Sequence, residues 1–208
     1  MAYIGMRNPK FWPISTPRVD GSAISYSNPV EIGPAVSANV TFETNDNPDY
    51  GNDVIIDNDK GINGYSITLE TNDISKDARA ACLGWSPIYN TATPPAVTHY
   101  EITDAAPPEG GFSFIRVKMF RGTRYYEAFF FHALQFADGA ENASTKERQI
   151  AWNHPTMDGS GIGVFIDSSG EAKFFNWMEF TGENGESAAE AWINSQGGYT
   201  PPASGTGT

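Results

Sequence analysis

Phe112-Ser-Phe-Ile-Arg-Val-Lys-Met-Phe-Arg-Gly-Thr-Arg-Tyr-Tyr-Glu-Ala-Phe-Phe-Phe-His-Ala-Leu-Gln-Phe136 decides the fold class. Ile115, Val117 and Met119 alternate with Arg116, Lys118 and Phe120, the period of two that marks a strand. Arg121-Gly122-Thr123 reads as a short turn. The return limb carries Tyr125, Tyr126, Phe129, Phe130, Phe131, Leu134 and Phe136, so apolar rings fall on both faces of one strand. Such a strand needs cover on both sides. Two packed sheets, or one sheet covered by a neighbouring subunit, would supply it.

The same alternation recurs outward from this hairpin. Val36, Ala38, Val40 and Phe42 point one way, and Tyr65, Ile67 and Leu69 do the same. Residues 162–167 and 172–180 predict a second hairpin around Ser168-Ser169-Gly170, with a short strand at Ile150 and Trp152 before it. Aromatics make up 13% of the 208 residues, and 21 Gly and 14 Pro accompany a charged fraction of only 18%. That balance favours β-structure with many turns. The fold class is mainly β.

Two helices are expected. Residues 75–83 follow Ser75 as N-cap and stop at Gly84, with Ile74, Ala78, Ala81 and Cys82 near one face. Cys82 reads as a small core residue rather than a nucleophile. Residues 187–195 open on the capping box Ser187-Ala-Ala-Glu190, are anchored by Trp192 and Ile193, and stop at Gly197.

Residues 1–196 read as one domain, and 197–208 as a flexible Gly/Thr/Pro tail. Within the domain, 86–111 is a mobile Pro-rich insertion. Residues 43–60 hold six acids against one lysine, yet also Tyr50 and the run Val54-Ile55-Ile56. A solvated loop has no need of that run, and a loop this long is usually functional. A projecting hairpin arm that docks on something else is expected. Its candidate contacts with another subunit are Asp49, Tyr50, Val54, Ile55, Ile56, Asp57 and Asp59.

The net charge is −12, with 13 Lys and Arg, too few for a phosphate-binding stripe. A single cysteine excludes an intramolecular disulfide. No apolar stretch reaches the roughly 20 residues of a membrane span or the length of a signal peptide, so a protein made in a cytoplasm is expected.

Catalytic and metal chemistry leave no clear trace. Asp57-x-Asp59-x-Gly61 departs from a calcium loop, where Thr68 stands at the place of the closing Glu. His99, His132 and His154 lack ligand spacing, and His132 is expected to be packed in its aromatic strand. Gly159-x-Gly161-x-Gly163 precedes a strand rather than a helix, which argues against dinucleotide binding. No catalytic residue, cofactor site or metal site is assigned, and no cofactor is expected.

The order of features resembles the major tail protein (tail tube protein) family of long-tailed, non-contractile bacteriophages. The resemblance is carried by Ile4-Gly5-Met6-Arg7-Asn8, by Val30-Glu-Ile-Gly33 leading into Ala35-Val-Ser-Ala-Asn-Val40, and by Gly64-Tyr-Ser-Ile-Thr-Leu-Glu70. Asp73-Ile-Ser-Lys76 with its helix, the hairpin 116–126 and the closing Ala/Trp helix complete it. It covers residues 3–195 through order and spacing. The resemblance implies a β-sandwich or barrel with a flanking helix, a second short helix and the projecting loop. It further implies hexameric rings that stack into a tube in the virion tail, assembled in the bacterial host's cytoplasm. Implied partners are other copies of the chain, a tape-measure protein, a distal tail protein and a tail terminator. The genome passes through without specific binding. The competing readings are a carbohydrate hydrolase, a carbohydrate-binding or adhesion module with an exposed aromatic platform, and a related tube of an injection or secretion machine.

Overall fold

The computed structural model describes residues 2–16, 23–45, 47–51, 54–59, 61–89, 98–101, 105–138, 154–164 and 171–202. The chain is mainly β, one antiparallel sheet of eight strands with two helices. The first half contributes β1 (Ala2–Pro13), β2 (Val30–Glu31), β3 (Ala35–Thr44), β4 (Asn47–Gly51), β5 (Val54–Asp59), β6 (Ile62–Thr71) and α1 (Lys76–Leu83). The second contributes β7 (Ser86–Tyr89), β8 (Thr98–Glu101), β9 (Glu109–Phe120), β10 (Thr123–Asp138), β11 (Thr156–Ile162), β12 (Phe175–Thr181) and α2 (Gly185–Gln196).

The β9–β10 hairpin is the spine. Its turn is Arg121-Gly122, both in the left-handed region at φ 48° and 80°, the pair of conformations that matches the twist of two-residue hairpins. β10 is long enough to share one edge between two partners. Its residues Tyr125 to Phe131 pair with β12, and Leu134 to Asp138 pair with β11. From β11 the sheet continues through β6 to β3 and folds back over β1. Tyr65 on β6 thus meets Phe131 on β10 at 5.1 Å between ring centroids.

Two cores result, one on each face of the hairpin. Phe112, Phe131, Leu134 and Phe136 face Tyr65, Ile67, Leu69 and Met157 from the folded-over half, with α1 closing one side through Ala78 and Cys82. Ile115, Val117, Tyr126, Ala128 and Phe130 face the other way, onto Trp12 and onto Ala189 and Ile193 of α2. The two-faced apolar pattern is therefore satisfied within one chain.

Where β10 changes partner, its register with β9 shifts between Phe131 and Leu134. The carbonyls freed there are bound by the half-buried Tyr26 and the buried Tyr65. Tyr26 donates its hydroxyl to the His132 carbonyl at 2.8 Å, and Tyr65 donates to the Ala133 carbonyl at 2.7 Å. Burial pushes both phenols well above their ordinary range. Gly161 has no β-carbon because the tip of Tyr65 occupies that space.

Several expectations need correction. Gly159 and Gly161 do not precede a strand; they lie inside β11, where Phe136 and Tyr65 fill the places of their missing side chains. Of the hairpin expected over 162–167 and 172–180, residues 165–170 lie outside the described residues, and the strands found beside it, Thr156–Ile162 and Phe175–Thr181, both lie along β10. Among the described residues the antiparallel bridge Val164–Lys173 joins their flanks, as a hairpin around Ser168-Ser169-Gly170 requires. Residues 150 and 152 lie outside the described residues.

Within 86–111, β7 pairs with β8 and the last three residues begin β9, while residues 90–97 and 102–104 lie outside the described residues. Residue 36 sits at a register shift, which turns Val36 outward while Ala38 and Val40 pack on the core. The helix at 75–83 forms with Ser75 Oγ accepting from the Ala78 amide at 3.1 Å and Gly84 closing it at φ 71°. α2 begins earlier than expected. Asn184 is its N-cap, and Ser187 lies inside the first turn, its hydroxyl bonded back to the Asn184 carbonyl. The capping box is not made.

Candidate functional site: sheet edges and an aromatic groove

Four strands in the order β1-β9-β10-β12 form one end of the sheet. Their register aligns Met6, Arg116, Glu127 and Glu179 in one row, and Tyr3, Lys118, Tyr125 and Thr181 two rows along, on the same face. Both outer edges of this band are open among the described residues. β2 covers β1 only at Lys10 and Phe11, and β12 pairs only with β10. Large apolar side chains stand exposed at both edges: Tyr3 (62%) and Ile4 (49%) on β1, Trp177 (55%) and Met178 (44%) on β12. β1 is bulged near Ile4. β12 has no lysine, proline or bulge, and its one charge, Glu179, is paired with Lys118.

Arg116 and Lys118 suggest a basic hairpin, but each is matched. Glu127 accepts from Arg116 at 2.7 Å and from Lys118 at 2.6 Å, and Lys118 also reaches Glu179. Burial works against the charged form of Glu127, yet the hydrogen bonds from Lys118 and Arg116 outweigh it and hold its carboxyl below the usual range. The same two carboxylates raise the Lys118 ammonium. Two cations and two anions cancel here. An ionised carboxylate held by two cations has no proton to give at neutral pH, so Glu127 is a poor general acid.

Beside this cluster, β3 and β12 bound a groove of about 400 Å³. Phe42 stacks on Phe175 at 5.2 Å and 29°, and Phe129 stacks on Trp177 at 6.3 Å and 20°. The Arg116 guanidinium lies over the ring of Tyr3, at 4.4 Å, and over that of Phe129, at 4.9 Å. None of Tyr3, Phe42, Trp177 and Met178 stands out as a site residue in the sequence. The signal available was Trp177-Met178, adjacent large apolar residues that a short strand must send to opposite faces.

The candidate contacts of residues 43–60 fall on β4 and β5. Their backbones pair as a two-stranded hairpin with Asp49 opposite Asp57, Tyr50 opposite Ile55 and Asn47 opposite Asp59. The expected hairpin is present. The side chains of Asp49, Tyr50, Val54, Ile55, Ile56, Asp57 and Asp59 lie outside the described residues.

Other reactive groups serve packing. Cys82 is fully buried, which pushes its thiol up and away from reactivity. His132 is 2% exposed, and burial, with the nearby Lys173 charge, lowers its pKa to about 4. Among the described residues no helix is long and apolar enough to cross a membrane. No family model matches the chain, and no curated protein matches it in sequence.

Proposed function

We propose that this chain is a self-assembling tube subunit, the tail tube protein of a long-tailed bacteriophage, in which copies close head-to-tail into rings that stack. The observation that carries the reading is the open band β1-β9-β10-β12. Its four strands alternate in direction, so β1 and β12 run opposite ways. Setting β12 of one copy beside β1 of the next by rotation alone makes an antiparallel pair, and repeating the rotation closes a ring with no edge left open. Both open edges lie at the same end of the band. β1 holds no acid and β12 no base, so the seam sets no like charges opposite one another.

The hairpin β4–β5 fits a second contact. A two-stranded ribbon is marginal alone in water, and this one carries Val54-Ile55-Ile56 on its second strand. Docking on a neighbouring copy would cover it. The resemblance in feature order to tail tube proteins points the same way.

Negative-stain microscopy and mass measurement of the purified full chain test the proposal. Six-membered rings or stacked tubes are expected. A strictly monomeric protein at high concentration, with no tubes when it is expressed in bacteria, would overturn it.

A further inference from the structure

The groove between β3 and β12 joins features that neither core packing nor an open strand edge requires. Trp177 is more than half exposed and Phe42 is 38% exposed. Their rings lie nearly parallel to their own inner partners, at 20° for Trp177 on Phe129 and 29° for Phe42 on Phe175. Both ring pairs line the groove. At the base stand Arg116, whose side chain is 39% exposed, and Glu127.

The geometry points to a binding site for a neutral oligosaccharide. A pyranose ring offers C–H faces that stack on aromatic rings, and a rim of hydroxyls that both donate and accept. The groove presents both complements: aromatic walls, a part-exposed guanidinium that donates, and the exposed Asn39 amide, which donates and accepts. Its volume of about 400 Å³ lies within the range of small-molecule sites, which are mostly apolar with a few placed polar groups.

The charges exclude the nearest rivals. Arg116 and Lys118 are cancelled by Glu127 and Glu179, so an ionic ligand gains no net attraction. A purely apolar side chain, including one from a second copy, would strip water from the Arg116–Glu127 pair and return no hydrogen bond. A hydroxyl-rich neutral ring replaces that water group for group. All the residues that line the groove belong to one subunit.

Titration of the full chain with cellohexaose, maltohexaose and chitin hexasaccharide, each to about 10 mM, followed by tryptophan fluorescence and calorimetry, tests this. A saturable response to at least one of them is expected. The response should weaken at least tenfold in Trp177→Ala and in Phe42→Ala, with unchanged far-UV circular dichroism and melting. Three outcomes would overturn the inference: no saturable response to any of the three, full binding retained by both variants, or preference for dextran sulfate over neutral sugars. If Trp177→Ala stops ring formation while no sugar binds, the groove is a contact between copies. That result removes the sugar site and leaves the assembly reading intact.

Discussion

Gly197, at the end of α2, lies so close to the Trp12 ring that a β-carbon there would fall inside the ring's van der Waals envelope. Trp12 is itself pinned, since its Nε1–H donates to Ser113 Oγ at 2.8 Å and its ring meets Phe130 at 5.4 Å. The contact joins the first strand to the last helix, and Tyr199 meets the Trp12 ring edge-on at 6.3 Å. The segment 197–208 is thus packed at its start rather than a tail throughout. Gly197 has an ordinary φ of −81°, so the demand for glycine is one of space alone. Gly197→Ala should cost about 1–3 kcal/mol by overpacking and lower Tm by several degrees, read by thermal melting.

The anchor of α2 is Ile193 rather than Trp192. Ile193 is 2% exposed and packs with Ala189 against Trp12 and Phe130, while Trp192 is only partly buried at the margin. Ile193→Ala should cost about 2–5 kcal/mol in urea unfolding. Trp192→Ala should cost clearly less. A larger loss from Trp192→Ala would mean that the helix sits differently.

Acid should weaken the fold in two windows. His132 has a folded pKa of about 4 against an ordinary 6.5. The unfolded chain therefore binds the proton first, and stability falls as pH drops from 6.5 towards 4, by about 3 kcal/mol in total. Glu127 acts lower. Its folded pKa is depressed, so its contribution is complete above the unfolded carboxyl range and is lost as pH falls through the folded value. Denaturant midpoints measured from pH 7 to 3 should show both limbs. His132→Gln should flatten only the upper one.

Met178→Lys places a charge on the open edge of β12 without touching a core, because Met178 is 44% exposed. Melting should change by less than about 0.5 kcal/mol, whereas rings should be lost, as seen by microscopy. Ile4→Lys on the opposite edge should act alike. Rings that form normally in both variants would show that these edges are not the seam.

The pair Ile55→Asp, Ile56→Asp tests the hairpin β4–β5. Burying one isoleucine stabilises by roughly 1.5–3 kcal/mol, and the contact repeats at every copy. Folded monomers with unchanged melting and no tubes are expected. Normal tubes from the double variant would remove the hairpin from the assembly contact. A large loss of melting temperature would instead place the hairpin on its own subunit.

Local chemistry made several elements legible from the chain alone. The turn at Arg121-Gly122 needs two left-handed residues, and the strands beside it alternate with the period of two. The α1 caps, Ser75 and Gly84, act on backbone groups within a few residues. The buried faces of Tyr65, Ile67 and Leu69 and the packed state of His132 and Cys82 follow from the same short-range patterns.

What the chain alone left open depends on partners distant in sequence. β1 hides behind the Asn8-Pro9 break, and only its pairing with β9 across about a hundred residues makes it a strand. β11 contains glycines that read as the approach to a strand, until the rings of Tyr65 and Phe136 are found in the space their side chains would take. The capping box at Ser187 matches a local rule, but packing of Gly185 against the Tyr126 ring starts the helix earlier. The open edge at Trp177 and the neutralised pair Arg116–Glu127 exist only once β12, β10 and β9 lie side by side. Periodicity and capping are written within one turn of chain, whereas edges, grooves and charge balance are properties of neighbours that only the folded sheet brings together.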